Sequence, residues 1–317
     1  MAPTETKTAS SPDLGAKRIS VRIGRRQLSL SNLDKVLYPA SGLSKGEVID
    51  YYTRIAPVML PHLKDRPLTF RRFPHGVEGD SFFAKNVPAG APEWVQTVKL
   101  PSPGSSKNRE QVEYVLVPDL ATLVWAENLA ALELHAPMWR LNGEKRPAPP
   151  DLIVFDLDPG PPATIVECCR VAELIREILD ADGLSALPKT SGKKGLQLYV
   201  PLRPQRPWQE LHLYARRLVE RLEREYPRLV VSSMRKDVRR GKVLVDWSQN
   251  NAAKTTIAVY SLRASRLPAV STPLSWDEVE RCRRPEDLVF GPSDVLERVE
   301  RRGDLFAPRT RARSVPV

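Results

Sequence analysis

A short apolar run closed by two acids, 152-LIVFDLD-158, with Pro159 and Gly160 directly behind it, limits this chain more than any other stretch. A run of that length and composition reads as a strand. Successive side chains of a strand alternate between faces, so Asp156 and Asp158 share one face while Phe155 and Leu157 take the other. Two carboxylates held that close repel and raise each other's pKa unless a cation sits between them. Hard cations such as Mg²⁺ and Mn²⁺ favour such oxygen ligands. The Pro-Gly step then turns the chain and leaves the pair at a strand end, where the sites of α/β sheets lie. Taken alone, the pair is also what a solvated strand end looks like.

Two further motifs follow in order. In 189-KTSGKKGLQLYVPL, the small residues Ser191, Gly192 and Gly195 let backbone N–H groups approach an anion, and Lys193 and Lys194 add charge. The GxxxxGK[ST] spacing is absent and a strand follows, so this is no P-loop; by itself it is also an ordinary basic turn. In 242-KVLVDWSQNNAAKTTIAVYSLR, Asp246 ends an apolar strand as Asp158 does, with Gln249, Lys254 and Arg263 close behind. A third carboxylate completes a site for two metal ions, one polarising an attacking 3′-hydroxyl and one holding a triphosphate. The order of the three motifs points to this chemistry more strongly than any single one. Nearer the start, Lys35 and Lys45 flank a turn and a helix start, a natural phosphate site. Phe82 and Phe83 are adjacent in a polar segment. If that segment is extended, at least one ring is available to stack on a nucleobase; if it is bent, both are buried.

The remaining pattern is an incomplete alternation of strands and helices. Residues 18–30 predict a hairpin about Gly24, and residues 67–73 and 112–117 predict strands. Val48, Ile49, Tyr52, Ile55, Ala56 and Met59 keep helical spacing behind a capping box of Ser44 and Glu47. A second capping box, Thr164 with Glu167, opens a helix running to about Gly183, and residues 207–225 predict another with Leu211, Ala215, Leu218 and Leu222 inward. Strands are expected at 196–202, 229–232, 242–247 and 255–262, with helix starts at Ser275 and Ser293. The fold class is therefore α/β, in the α+β sense, with a mixed or largely antiparallel central sheet. Residues 1–17 are expected to be a disordered tail, 309–317 a C-terminal tail, and 101–109 a flexible loop. A proline-rich connector at 142–151 divides residues 18–308 into an N-terminal module (18–145) and a catalytic module (146–308).

Charge narrows the partners. The net charge of +11 and a pI near 9.7 suit a polyanion, because each neutralised phosphate releases counterions. No run of about 18 apolar residues predicts a membrane span, and the first residues lack the apolar core of a signal peptide. Three cysteines, Cys168, Cys169 and Cys282, form neither a disulfide framework nor a CxxC site, consistent with packing roles in a cytoplasmic protein.

Together FDLDPG, KTSGKKGLQLYVPL and VDWSQNNAAKTTIAVYSLR resemble the polymerase domain of bacterial ATP-dependent DNA ligase D, a member of the archaeo-eukaryotic primase superfamily. LDKVLYP, SFFAKN, LELHAPMW and DVLERVERRGDLFAP extend the resemblance over residues 27–308. IVFDLDPG is also similar to the first motif of haloacid-dehalogenase-type phosphatases, but that motif continues Gly-Thr and lies near the chain start. The ligase D resemblance implies a primase-type fold, an RRM-like catalytic sheet with an N-terminal module packed on it. It implies template-guided nucleotide addition at breaks and gaps, as in non-homologous end joining and gap filling, with two Mn²⁺ or Mg²⁺ ions and a preference for ribonucleotides. Asp156, Asp158 and Asp246 would be the catalytic metal ligands. Ser191, Lys194, Gln197, Gln249, Arg263 and His135 would line the NTP or dNTP. Lys35 and Lys45 would hold a downstream 5′-phosphate of gapped or broken DNA, and Phe82 and Phe83 would stack near the template. Ku and an ATP-dependent DNA ligase are the implied partners, and the bacterial nucleoid the implied location.

One position departs from the family pattern. Its second motif ends SGxKGxH, and here Gln197 occupies the histidine position. A neutral amide donates a hydrogen bond but cannot become cationic, so Gln197→His is expected to tighten nucleotide binding. The same residue keeps a second function open, a weakly active DNA-end-binding factor that recruits a ligase or Ku. A primase that starts chains without a primer is a third. No ligase motif or nuclease region occurs in the sequence, which fits a stand-alone relative or an excised domain.

Overall fold

Alternation along the 152–159 strand organises the protein, described by a computed structural model over residues 18–101 and 110–307. The expected tails, and the loop beyond Pro101, lie outside the described residues. The N-terminal part runs β1 (Arg18–Ile23), β2 (Arg26–Ser31), β3 (Val36–Tyr38), β4 (Leu43–Ser44), α1 (Lys45–Leu63), β5 (Thr69–Arg72), β6 (Phe82–Ala84), β7 (Thr97–Pro101), β8 (Gln111–Val115), α2 (Leu120–Asn128) and β9 (Glu133–Ala136). The C-terminal part runs β10 (Leu152–Pro159), α3 (Ile165–Ala181), β11 (Leu187–Thr190), β12 (Leu196–Pro201), α4 (Trp208–Glu225), β13 (Val230–Val231) and β14 (Val243–Asp246). It closes with β15 (Thr256–Ile257), β16 (Leu262–Arg263), β17 (Ala269–Val270), α5 (Trp276–Arg281) and α6 (Pro292–Arg302).

The central sheet has the order β11-β12-β10-β14-β13 and is antiparallel except between β13 and β14. Ile153, Phe155 and Leu157 bury one face of β10 against α3 and α4, together with Leu196 and Leu198 of β12 and Val243 and Val245 of β14. Val154 and Tyr199 point the other way, into a second core with α1, α2 and the sheet β15-β9-β5-β6. The central sheet is thus covered on both faces, by helices on one and by a second sheet on the other. Asp156 and Asp158 belong by alternation to the face that meets the second sheet.

Local signals account for most element boundaries. Ser44 and Glu47 close a complete capping box on α1, as do Thr164 and Glu167 on α3 and Ser275 and Glu278 on α5. The last helix departs from the expected start at Ser293: Gly291 is its N-cap, Pro292 takes the first helical position, and Asp294 accepts from the Gly291 N–H at 2.8 Å. The apolar run at 255–262 is not one strand. Tyr260 adopts φ 67°, which turns the backbone between β15 and β16. Across the 145/146 boundary, β15 pairs with β9 and extends the sheet of the N-terminal residues. The three cysteines are buried and free, as packing residues should be.

Candidate active site

The register of the central sheet gathers the acids. Asp156 lies directly opposite Asp246 on one neighbour and opposite Gln197 on the other. Gln197 in turn faces Lys189. A polar row therefore crosses four strands on the face turned to the second sheet: Lys189, Gln197, Asp156, Asp246. Asp158 sits two residues beyond Asp156 on the same face. A cavity of about 850 Å³ opens over the Asp156 and Gln197 part of this row, with Asp158 and Gln249 beside them and His135, Thr256 and Arg263 opposite, while Asp246 and Lys189 lie buried beneath its lining. Loop residues Ser191 to Lys194 close one end.

Each carboxylate has a defined surrounding. Asp156 Oδ1 accepts from the Gln197 amide at 3.0 Å. Burial, and then the charge of Asp158, push its pKa up to about 7, with Gln197 and Lys189 opposing. Asp246 caps the turn behind β14: its Oδ1 accepts from Ser248 N at 2.9 Å and Ser248 Oγ at 2.6 Å, and its Oδ2 from Gln249 at 3.2 Å. Arg239 approaches Asp158 at 3.8 Å. As they stand, no three carboxylate, imidazole or thiol groups among the described residues are gathered closely enough to hold an ion. The backbone register nevertheless sets three hard oxygen donors side by side on one sheet face. A carboxyl raised to about 7 beside two other acids is the electrostatic counterpart of that fit, since a divalent cation relieves the repulsion.

The opposite wall is cationic and built on a residue the sequence did not single out. Glu133 is 1% exposed, with Arg71, Arg263 and Lys193 at 3.8, 3.7 and 3.9 Å and His135 Nε2 at 3.1 Å. Burial alone would raise its pKa, but the His135 hydrogen bond, the charge of Arg263 and the Ala264 N–H bring it to about 2. His135 itself is driven below its ordinary value, first by burial and further by Arg263 and Arg71, against the pull of Glu133. It is neutral at pH 7, so it meets Glu133 as an N–H donor, and Arg263 supplies the charge. The Nε of Arg263 is buried without a partner, an orphaned donor at the cavity. The only early sign of Glu133 was its i, i+2 relation to His135 in LELH, which puts both on one strand face.

The small residues of the loop are there because space is tight. A Cβ on Gly192, where φ is +72°, would lie 2.5 Å from Arg263 Cγ, and one on Gly195 would lie 2.3 Å from the Leu157 carbonyl oxygen. Ser191 Oγ accepts from the N–H groups of Lys193 and Gly195, so it shapes the turn as well as lining the cavity.

Lys35, Lys45, Phe82 and Phe83 lie outside the cavity lining. The two lysines are neighbours, the Lys45 N–H donating to the Lys35 carbonyl at 2.8 Å. Lys45 is 5% exposed, donates to the Ser31 carbonyl at 2.5 Å, and has its pKa lowered to about 8, by burial first and then by Lys35 and Arg72. Phe82 and Phe83 form part of β6 and are 47% and 56% exposed, so the bent, buried alternative does not hold. Arg72 stands over Phe82 and Arg71 over Phe83, whose ring meets the His135 ring edge-on at 5.5 Å. The aromatic pair thus borders the cavity from the second sheet.

A mixed sheet bearing same-face aspartates over a cationic cleft, backed by helices and faced by a second sheet, defines a primase-polymerase, a class of nucleotidyltransferase. The chain belongs to the LigD primase-polymerase domain family, whose model matches residues 44–306. It is 42% identical over 283 residues to the multifunctional non-homologous end joining protein LigD of Mycolicibacterium smegmatis, covering 89% of this chain and 36% of that protein. It is 33% identical to the bifunctional LigD of Bacillus subtilis, covering 88% of this chain and 44% of that one. The chain therefore spans less than half of the length of these curated relatives. The polymerase domain of Mycobacterium tuberculosis ligase D, solved in complex with DNA, superimposes with a TM-score of 0.82 at 40% identity, covering 88% of this chain and 96% of that one. No helix among the described residues is long and apolar enough to cross a membrane.

Proposed function

We propose that this chain is a DNA repair polymerase of the primase-polymerase type. It adds nucleotides, ribonucleotides preferentially, to primer 3′ ends at gaps and broken ends under template guidance. The observation that carries the reading is the register of Asp156 against Asp246, which sets three carboxylates on the sheet face opposite Arg263 and His135. Asp156, Asp158 and Asp246 would hold two divalent ions, Mn²⁺ or Mg²⁺. Such ions supply Lewis-acid activation of the 3′-hydroxyl and neutralise charge on the triphosphate.

The chain's own residues do the rest. Ser191, Lys194, Arg263 and Gln249 line the cavity where a triphosphate would lie, and the orphaned Arg263 Nε has a donor to give it. Neutral His135, with its Nε2–H committed to the ionised Glu133, keeps an acceptor nitrogen, which suits a sugar hydroxyl better than a phosphate. That matches a ribonucleotide preference. Lys35 and Lys45 form a cationic pair for a downstream 5′-phosphate, and the exposed Phe82 and Phe83 offer stacking surfaces for template bases. Ku and an ATP-dependent ligase are the partners such an activity implies, in a bacterial cytoplasm at the nucleoid.

The test is single-nucleotide extension on a gapped duplex bearing a downstream 5′-phosphate, with Mn²⁺ and each nucleotide set in turn. Templated addition, faster with ribonucleotides, is expected. Tight binding to the gap with no extension from either set would instead identify a DNA-end-binding factor.

A further inference from the structure

Gln197 was expected to reach the nucleotide, but both ends of its amide are engaged within the sheet. Its Nε2 donates to Asp156 Oδ1 at 3.0 Å, and its Oε1 accepts from Lys189 Nζ at 2.5 Å. Lys189 is fully buried and donates also to Ser271 Oγ at 2.6 Å, while Ser271 spends its own proton on the Thr190 carbonyl at 2.8 Å. The orientation of the amide is fixed from both sides. When Lys189 is protonated it has no acceptor to offer, and Asp156 in the ionised form a metal would need has no donor, so in that state the oxygen faces Lys189 and the N–H₂ faces Asp156. Asp246 is served similarly: Lys254 donates to Ser248 Oγ at 2.6 Å, and Ser248 donates to Asp246 at 2.6 Å. In both cases a neutral side chain stands between a lysine and the carboxylate. A direct ion pair there would compete with a metal for the same oxygens, whereas a neutral spacer orients the carboxylate and leaves its outer lone pairs open.

We propose that Gln197 is a positioning residue: anchored by Lys189, it holds the carboxylate of Asp156 in the orientation that receives a divalent ion. The proposal rests on the reading of Asp156 as a metal ligand. It also explains how glutamine stands where the family pattern has histidine. A neutral imidazole carries one acceptor and one donor nitrogen, the same pair that the amide offers to Lys189 and Asp156.

The test is Mn²⁺ binding alone, read from the electron paramagnetic resonance signal of free Mn²⁺ in titrations of wild type, Gln197→Met, Gln197→His, Lys189→Met and Asp156→Asn. Gln197→Met is expected to weaken Mn²⁺ binding roughly 10–100-fold. Gln197→His should keep wild-type affinity and leave the nucleotide KM unchanged, in place of the tightening that the sequence suggested. Lys189→Met should weaken binding several-fold, and it reads the same relay if Gln197→Met fails to fold. Wild-type Mn²⁺ affinity in Gln197→Met, or in Lys189→Met where the former is unfolded, overturns the proposal, provided Asp156→Asn has lost the ion. If Asp156→Asn binds Mn²⁺ as wild type does, the metal assignment itself fails, and the relay falls with it.

Discussion

Single residues in this protein are tuned by depth as much as by neighbours. Lys45 is nearly buried beside Lys35 and Arg72, and its pKa falls to about 8 from an ordinary 10.5. The sign for stability follows from which state holds the proton. Between about 8 and 10.5 the unfolded chain binds the extra proton, so the contribution of Lys45 to stability rises with pH across that window. Phosphate binding runs the opposite way, because it needs the charged form. The preference for 5′-phosphorylated over 5′-hydroxyl gapped DNA should be flat below about pH 8 and fall towards tenfold per pH unit above it. A terminal phosphate is already fully ionised there, so it does not contribute to the slope. Paired binding titrations from pH 6.5 to pH 9.5 check this, and a constant ratio would remove Lys45 from the phosphate site. Of the residue-level features, the acids, the lysine pair and the aromatic pair were legible because each is a local pattern of side chains on a strand or at a helix start. Glu133, Lys189 and Arg239 were not, because their roles depend on register and on partners far away in sequence.

At the scale of elements, helix starts were readable wherever a side chain performs the capping. Ser44, Thr164 and Ser275 each sit three residues ahead of a glutamate that answers them. The start of α6 was misplaced because Ser293 looks like a cap while the Gly291-Pro292 pair does the work. The run ending in VYSL reads as one strand because apolar alternation gives no sign of the positive φ at Tyr260. The loop between β11 and β12 is the element on which the site depends most. Gly195 packs against the Leu157 carbonyl, part of the strand that carries both aspartates. Gly195→Ala has only backbone to displace there, and is expected to cost roughly 1–3 kcal/mol in denaturant melts. It should also lower extension beyond what the stability loss explains, because β10 must move. Unchanged stability would mean that the loop has room the structure does not show.

For the whole molecule, a buried ion pair sits where the two layers join. Arg66, 3% exposed between α1 and β5, makes a bidentate contact with Asp151 at 2.8 and 2.6 Å, just ahead of β10, and donates also to the Pro137 carbonyl. Arg140 reaches the same carboxylate at 3.0 Å. Removing one partner of a buried pair leaves a charge uncompensated, so Asp151→Ala should destabilise by roughly 3–5 kcal/mol, and Asp151→Asn by less because the hydrogen bonds persist in part. Thermal melts of both variants test the order. The proline-rich connector at 142–151 is legible in the sequence, but nothing in it reveals that the chain later returns to pair β15 with β9.

All of these arrangements serve one face of one sheet, and the most direct test falls on the acid that the sequence placed there last. Asp246→Ala, measured for templated extension and for gapped-DNA affinity in the same preparation, should abolish extension with Mn²⁺ while leaving DNA binding nearly intact. Extension close to wild type in that variant would contradict the assignment of Asp156, Asp158 and Asp246 as a shared metal site.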